Sequence, residues 1–590
     1  MVRRPFALIS RILGTLRAWL HADLDRTERF VLLGVAILHV TGIGWGLPGS
    51  DSWDVDGVAP RDFLPGVLKT FTPGDYFTYP PLHLLFLTVL TLPATLFALI
   101  GAPSLSQHDV VQVFLRVPLM TTFAMVARVV SLFMSLGVVL AVSRMASAIF
   151  GPRARPWAMA VAGVEVGGTY YAHTSNLDIP ALFWAAYALL GLVLAVQADE
   201  PKRLRGVAVL AACAIATKDQ AYAVFALSFP CTLGLWALAP GRTTTLRELA
   251  RETFYLGALG LGLVLLFDGA LFNPTGFLAR LHFLTGPASQ DFAQYSRDWP
   301  GRISALADAV TFLPNHYPLA LAPVFALGIV LALARTKGRA RIAAAVPLLA
   351  ILSFTLTFNC VARRVEERFM LPQMQLLAVY GGGAIAVVLD VAPRAAATRR
   401  GRRALSILVR LAAVGCVLAG LRESVIVIAT MLGDARYDAL AFLRSHMKAG
   451  DGIEVYGGNV YLPRFPDGAR VQRVGPTPLS QRNPMPGVEE VQDHLGAVDT
   501  RKPRWIVVST GYAWRFLRES HGPANGRLIP ESQLMSLADV DATTHFRSLW
   551  AGSGSYAAVH IGHYEGYGAL LPPRGLHASL ACDVWIFERR

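Results

Sequence analysis

Residues 48–81 read PGSDSWDVDGVAPRDFLPGVLKTFTPGDYFTYPP and lead straight into LHLLFLTVLTLPATLFALIG at 82–101. The first part places Asp51, Asp54, Asp56, Asp62 and Asp75 just after an apolar run at 30–47. Carboxylates gathered where a bilayer meets water are costly to keep and point to function. The plainer reading is a solvated outer loop. The second part decides the topology, because every later loop changes side if 82–101 crosses. Its Pro80–Pro81 start and internal Pro93 permit instead a hairpin or interfacial helix on the outer face.

Basic residues choose between the two. With 82–101 not crossing, five loops fall on one side with Arg3, Arg4 and Arg11. They carry Arg144/Arg153/Arg155, Lys202/Arg203/Arg205, Arg242/Arg247/Arg251, Arg335/Lys337/Arg339/Arg341 and Arg394/Arg399/Arg400/Arg402/Arg403. That is the positive-inside pattern. Runs at 30–47, 119–143, 157–171, 179–197, 206–217, 221–239, 253–272, 318–336, 342–359, 370–391 and 405–430 then give about 11 transmembrane helices. Several are short for a bilayer that needs about 20 residues. Residues 1–29 read as a cytoplasmic amphipathic helix. The run at 30–47 has no small-residue cleavage site after it and reads as an uncleaved anchor.

Composition agrees. With 54% hydrophobic and 16% charged residues among 590, the chain is too apolar for a soluble globule and reads as a polytopic α-helical membrane protein. The net charge of +14 lies in loop clusters, so no nucleic-acid partner is expected. Five cysteines without metal-ligand spacing predict neither a zinc site nor a structural disulfide. From 431 to 590 the composition turns mixed and turn-rich. Strand-like IEVYG (453–457), RWIVVS (504–509) and VWIF (584–587) alternate with helical patterns, predicting a small α/β periplasmic domain after the membrane part at 30–430. Its YGGN and GSGS stretches lack the glycine spacing of a phosphate loop.

On this topology the outer face, including the loop at 48–118, collects the candidate chemistry. It holds Asp54 and Asp56; His173 and Asp178 in YYAHTSNLDIP; Lys218 in ATKDQAY; His316 in LPNHYP; and Arg363, Arg364, Glu366, Glu367 and Arg368 in VARRVEERF. Acids able to take a proton share a side with cations able to hold a phosphate. His173 and His316 lack the clustered carboxylates of a metal site, so no obligatory metal is expected.

The acidic first loop, YPPLHLLFL, RMASAIFGPRAR, YYAHTSNLDIPALFW, AIATKDQAYAVFALSFP and ERFMLPQMQLLAVYGGG follow one another in an order that resembles the GT-C superfamily of integral membrane glycosyltransferases. The likeness is strongest to the protein O-mannosyltransferase and aminoarabinose-transferase type, over roughly residues 30 to 430. The resemblance implies transfer of a sugar from a polyprenyl-phosphate donor lipid at the outer face of a bacterial inner membrane. It makes Asp56 the counterpart of the family's catalytic aspartate, with Gly57 where an acidic partner usually stands, so Asp54 shares the candidacy. It carries over Asp178, Lys218 and Arg368, with Phe369 in place of the family's tyrosine. His173 and Arg364 complete the expected substrate contacts.

Chemistry accounts for these types. A lipid-phosphate sugar already carries its leaving group, so one carboxylate to deprotonate the acceptor and one or two cations for the phosphate suffice. Single displacement inverts the anomeric carbon. Each residue also has an ordinary reading. Asp56 and Asp178 fit turn or helix-cap positions, Lys218 and Arg368 fit headgroup contacts, and Arg363/Arg364 fit a lipid anchor. A secondary transporter or flippase predicts midplane charges and internal repeats, which the chain does not show. A non-enzymatic envelope assembly subunit leaves the aspartates and outer cations without a role.

Overall fold

Asp25 and Glu28 form a reciprocal capping box that opens α1 (Arg26–Val40). Gly42 and Gly46, at φ 94° and 73°, lie in the turns that follow it. The first helix of the apolar run is therefore 15 residues long and stops well before that run does. This computed structural model describes residues 24–448, 450–517, 527–564 and 580–590. Most of the amphipathic helix expected at 1–29 lies outside the described residues.

After α1 come α2 (Phe63–Phe71), α3 (Leu82–Ile100) and α4 (Val117–Phe150). The run at 157–171 is split into α5 (Arg155–Gly163) and α6 (Val166–Tyr171) by Glu165. Its carboxylate accepts from the N–H groups of Gly167 and Gly168 at 2.8 and 2.5 Å and caps a new helix. Next come α7 (Asp178–Ala198), α8 (Leu204–Ile215), the broken helix Asp219–Ala237, α9 (Leu246–Phe267), α10 (Trp299–Thr311) and α11 (Ala322–Arg335). The membrane part closes with α12 (Gly338–Phe354), which continues as a π-helix to Arg363, then α13 (Glu367–Val391) and α14 (Arg399–Leu432). Among the described residues eight helices are long and apolar enough to cross a membrane. The number is nine if the pair Trp299–His316 and Leu319–Arg335, bent by 113°, is one span. The expected count of about 11 also includes α1, the α5–α6 pair and α8, which are shorter, and leaves out α3.

Polar contacts mark the two ends of the bundle. At one end Arg155 meets Glu28 at 3.1 Å, Arg153 meets Asp390 at 2.8 Å, and Asp199 accepts from Trp236, Thr243 and Arg339. At the other end lies the aspartate loop. There the N–H of Leu82 donates to the Ala216 carbonyl at 3.1 Å and the N–H of Gly49 to Thr121 Oγ1 at 3.0 Å. Both ends of the segment containing α3 are thus tied to the aspartate end. Glycines let α13 sit at the centre, since a Cβ on Gly382 would lie 2.3 Å from the Ala158 nitrogen and one on Gly381 2.7 Å from Phe325.

Beyond α14, α15 (Ala435–His446) leads into a six-stranded sheet of order β3-β2-β1-β4-β6-β5. The strands are β1 (Gly452–Val455), β2 (Arg470–Gly475), β3 (Val488–Gln492), β4 (Trp505–Ser509), β5 (Tyr556–Gly562) and β6 (Val584–Arg589). The first four are parallel, while β6 runs antiparallel to both β4 and β5. α16 (Thr510–Leu517) and α17 (Val540–Ala551) pack on one face through Ala513, Phe516 and Phe546. α15 packs on the other through Ala439 and Leu443. The sheet is bound to the aspartate loop. Trp53 Nε1 donates to the Leu462 carbonyl at 3.0 Å, Trp45 Nε1 donates to Asp434 at 2.9 Å, and the Arg436 guanidinium lies 4.0 Å over the Trp53 ring.

Candidate active site

Four segments far apart in sequence deliver charges to one place. Asp56, from the aspartate loop, is ion-paired with Arg368 in the first turn of α13. Arg368 also lies 3.4 Å from Glu366. Lys218, in extended backbone just after α8, puts its Nζ 2.5 Å from Asp178 Oδ1 at the first residue of α7. The Asn176 side chain fixes that corner by accepting from the Asp178 N–H at 2.9 Å. The Phe369 ring lies beneath three cations, with Arg368 at 4.5 Å, Arg364 at 4.9 Å and Lys218 at 6.0 Å.

Asp54 lies deeper. It is 1% exposed and accepts from the Tyr170 hydroxyl at 3.1 Å and from Asn176 Nδ2 at 3.3 Å. Tyr79 lies within the field of both groups of charges. Burial pushes its phenol above the usual range, Asp56, Asp178 and Asp54 push the same way, and Arg368 opposes them. Among the described residues Asp178 Oδ2 is buried without a hydrogen-bond partner. The cavity lined by Asp178, Lys218, Arg368 and Phe369 holds only about 20 Å³, so the ion pairs close on one another.

The structure brings together Asp54, Asp56, Asp178, Lys218 and Arg368. Arg364 joins through Phe369, while its guanidinium is held 2.7 Å from Glu366. His173 stands apart from these charges. It is fully buried, with ring nitrogens 2.6 and 2.7 Å from the carbonyl oxygens of Thr169 and Thr41, and burial lowers its pKa to about 4. Its ring lies between α6 and the turn after α1 and staples one to the other. Asp51 serves the outer domain, pairing with Arg61 at 3.0 Å and accepting from Asn459 at 2.6 Å.

Sequence reasoning missed Tyr79, Tyr170 and Asn176, which carry no charge, although they stand within the YPPLHLLFL and YYAHTSNLDIP stretches. It also missed Glu165 as the partner of His316, at 2.5 Å, and of Gln375, at 2.9 Å, all fully or nearly fully buried. Glu165 lies inside an apolar run, and that placement was the available signal. Among the described residues no three His, Cys, Asp or Glu side chains gather as a metal site.

No protein-family model matches the chain, and no curated protein matches it in sequence. Among solved structures it is similar to ArnT from Cupriavidus metallidurans bound to undecaprenyl phosphate. That match has 14% identity over 97% of this chain and 98% of that one, with a TM-score of 0.47. It is also similar to the archaeal oligosaccharyltransferase AglB from Archaeoglobus fulgidus, in complex with an inhibitory peptide and a dolichol-phosphate. Here the identity is 14%, the coverage 95% and 88%, and the TM-score 0.44. A shorter match, to the S. cerevisiae protein O-mannosyltransferase Pmt1-Pmt2 complex bound to the sugar donor, has 18% identity over 46% and 36% at a TM-score of 0.29.

Proposed function

We propose that the chain is a GT-C-type glycosyltransferase of a bacterial inner membrane that moves a sugar from a polyprenyl-phosphate lipid to an acceptor at the periplasmic face. The observation that carries this reading is the meeting of Asp56 and Asp54 with Asp178, Lys218 and Arg368 at the end of the bundle that bears the aspartate loop. Eleven crossings follow when α1, α5–α6 and α8 are counted and α3 is laid on the outer face. The anchoring of both ends of the α3 segment beside Ala216 and Thr121 supports that count. The aspartate loop and residues 431–590 are then periplasmic and the amino terminus cytoplasmic.

The chemistry needs a base, a phosphate cradle and dryness. The donor phosphate replaces Asp56 on Arg368 and Asp178 on Lys218, which opens the small cavity and frees a carboxylate. Asp56, the more accessible of the two loop acids, takes the acceptor proton as the acceptor heteroatom attacks the anomeric carbon. The bond from that carbon to the phosphate oxygen breaks, and polyprenyl phosphate leaves with the electron pair, held by Lys218 and Arg368. One displacement inverts the anomeric centre. Asp54, hydrogen-bonded to Tyr170 and Asn176, holds the loop in position and adds negative field.

The test is mass spectrometry of lipids copurifying with Asp56→Asn beside the unmutated protein. A polyprenyl-phosphate sugar enriched on the variant is the expected result. Ordinary phospholipid alone on both proteins, together with undiminished growth-linked turnover of such donors in cells carrying the variant, would overturn the reading.

A further inference from the structure

The outer sheet has a topological switch point. From β1 the chain crosses to β2 on one side, while β4, on the other side of β1, feeds α16 in the opposite direction. The loops therefore part at the carboxyl ends of β1 and β4, and in open parallel sheets that parting makes a ligand crevice. Here the crevice holds about 490 Å³ and is lined by Gly457, Gly458, Thr477, Tyr512, Arg515 and Asp539, among others. That volume lies within the roughly 300–1,000 Å³ of ligand pockets.

Its floor is a close contact between backbone and ring. Gly457 has φ 86°, and a Cβ there would lie 2.5 Å from the Tyr512 ring. Arg473 and Arg482 lie along the side but are committed to Glu490. Arg515 differs. It lies 4.8 and 5.4 Å over the rings of Tyr512 and Tyr461, donates to the Tyr461 hydroxyl at 2.9 Å, and among the described residues has no carboxylate partner.

The crevice is also wired to the aspartate loop. Arg473 donates to Asn459 Oδ1, Asn459 Nδ2 donates to Asp51 at 2.6 Å, and Asp51 pairs with Arg61. Asp51 stands three residues before Asp54 and five before Asp56.

From this geometry we infer that the crevice is an acceptor subsite that takes a carboxylate-bearing saccharide. The acid group docks on Arg515, and the sugar hydroxyls reach Asp539, Thr477 and the glycine backbone. This rests on the glycosyltransferase reading for the word acceptor, but not for the binding itself. A saccharide held there is linked to the loop that carries the base through Arg473, Asn459 and Asp51.

The test uses the full-length protein in lipid nanodiscs, titrated calorimetrically with tri-galacturonate, maltotriose and inorganic phosphate. Expected is saturable 1:1 binding of tri-galacturonate, at least tenfold weaker binding of maltotriose and of phosphate, and at least tenfold loss in Arg515→Gln. Gly458→Trp fills the crevice without strain, because Gly458 has φ −73° and open space around a Cβ. It should abolish tri-galacturonate binding while leaving copurifying donor lipid unchanged. No saturable binding, binding indifferent to both substitutions, or phosphate binding as tight as tri-galacturonate overturns the inference. Donor retention by Asp56→Asn reports separately on the membrane site.

Discussion

Lys218 and Asp178 show what a charge costs at this depth. Both are nearly buried, so Lys218→Met leaves an uncompensated carboxylate. We expect a loss of about 3–5 kcal/mol, read as a lower thermal midpoint. Asp178→Asn combined with Lys218→Met should recover most of the stability and none of the turnover, which separates packing from chemistry. Charge also explains what the sequence reveals at this scale. Lys218, Arg368, Asp56 and Asp178 stand out because ionised groups beside apolar runs are expensive, whereas Tyr79, Tyr170 and Asn176 act through uncharged groups placed by folding. For His173 a polar type beside a loop says nothing about the backbone carbonyls that its ring meets. In the outer domain His545 is 5% exposed, and burial lowers its pKa to about 4. A depressed folded pKa means the unfolded chain binds more protons, so stability present above pH 6.5 is lost as pH falls toward 4. His545→Phe should flatten that loss, gaining about 2 kcal/mol over the unmutated domain at pH 5. Thermal unfolding at pH 5 and 7.5 checks it.

Helices meet where side chains are missing. A methyl at Gly382 would collide with the backbone of α5, while Gly234 has nothing within 4 Å of its Cβ position. Gly382→Ala should lower the melting temperature by several degrees. Gly234→Ala should leave it equal or slightly raised, by the roughly 0.5–1 kcal/mol that alanine gains over glycine in a helix. A hydropathy reading finds the long helices because twenty apolar residues admit few alternatives. It overextends α1 and misses the break at Glu165, since glycine turns and a capping carboxylate interrupt helices without interrupting apolar composition. The sheet divides in the same way. The apolar runs become β1, β4 and β6, whereas β2 (RVQRVG), β3 (VEEVQ) and β5 (YAAVHIG) are short or carry polar side chains and are completed only by their neighbours.

At the scale of the molecule, the aspartate loop is gripped from both sides. Trp53 is 0% exposed between the membrane helices and the outer sheet, with Arg436 stacked on it and its indole N–H bonded to Leu462. Trp53→Ala should loosen the outer sheet from the bundle. Limited proteolysis should then cut between residues 433 and 470 at least tenfold faster than in the unmutated protein, and activity should fall with the loop's order.

That grip sets a rule for anyone recombining such proteins. Arg464 donates to the carbonyl oxygens of Gly46 and Asp51, and Asn459 reaches the Asp51 side chain, so the outer domain and the loop it touches form one transplantable unit. A chimera that exchanges residues 431–590 alone inherits a mismatched seam and an unanchored base. One that carries residues 42–62 along with them keeps the seam intact and, on the proposed function, is expected to change acceptor preference while the membrane site is left as it is.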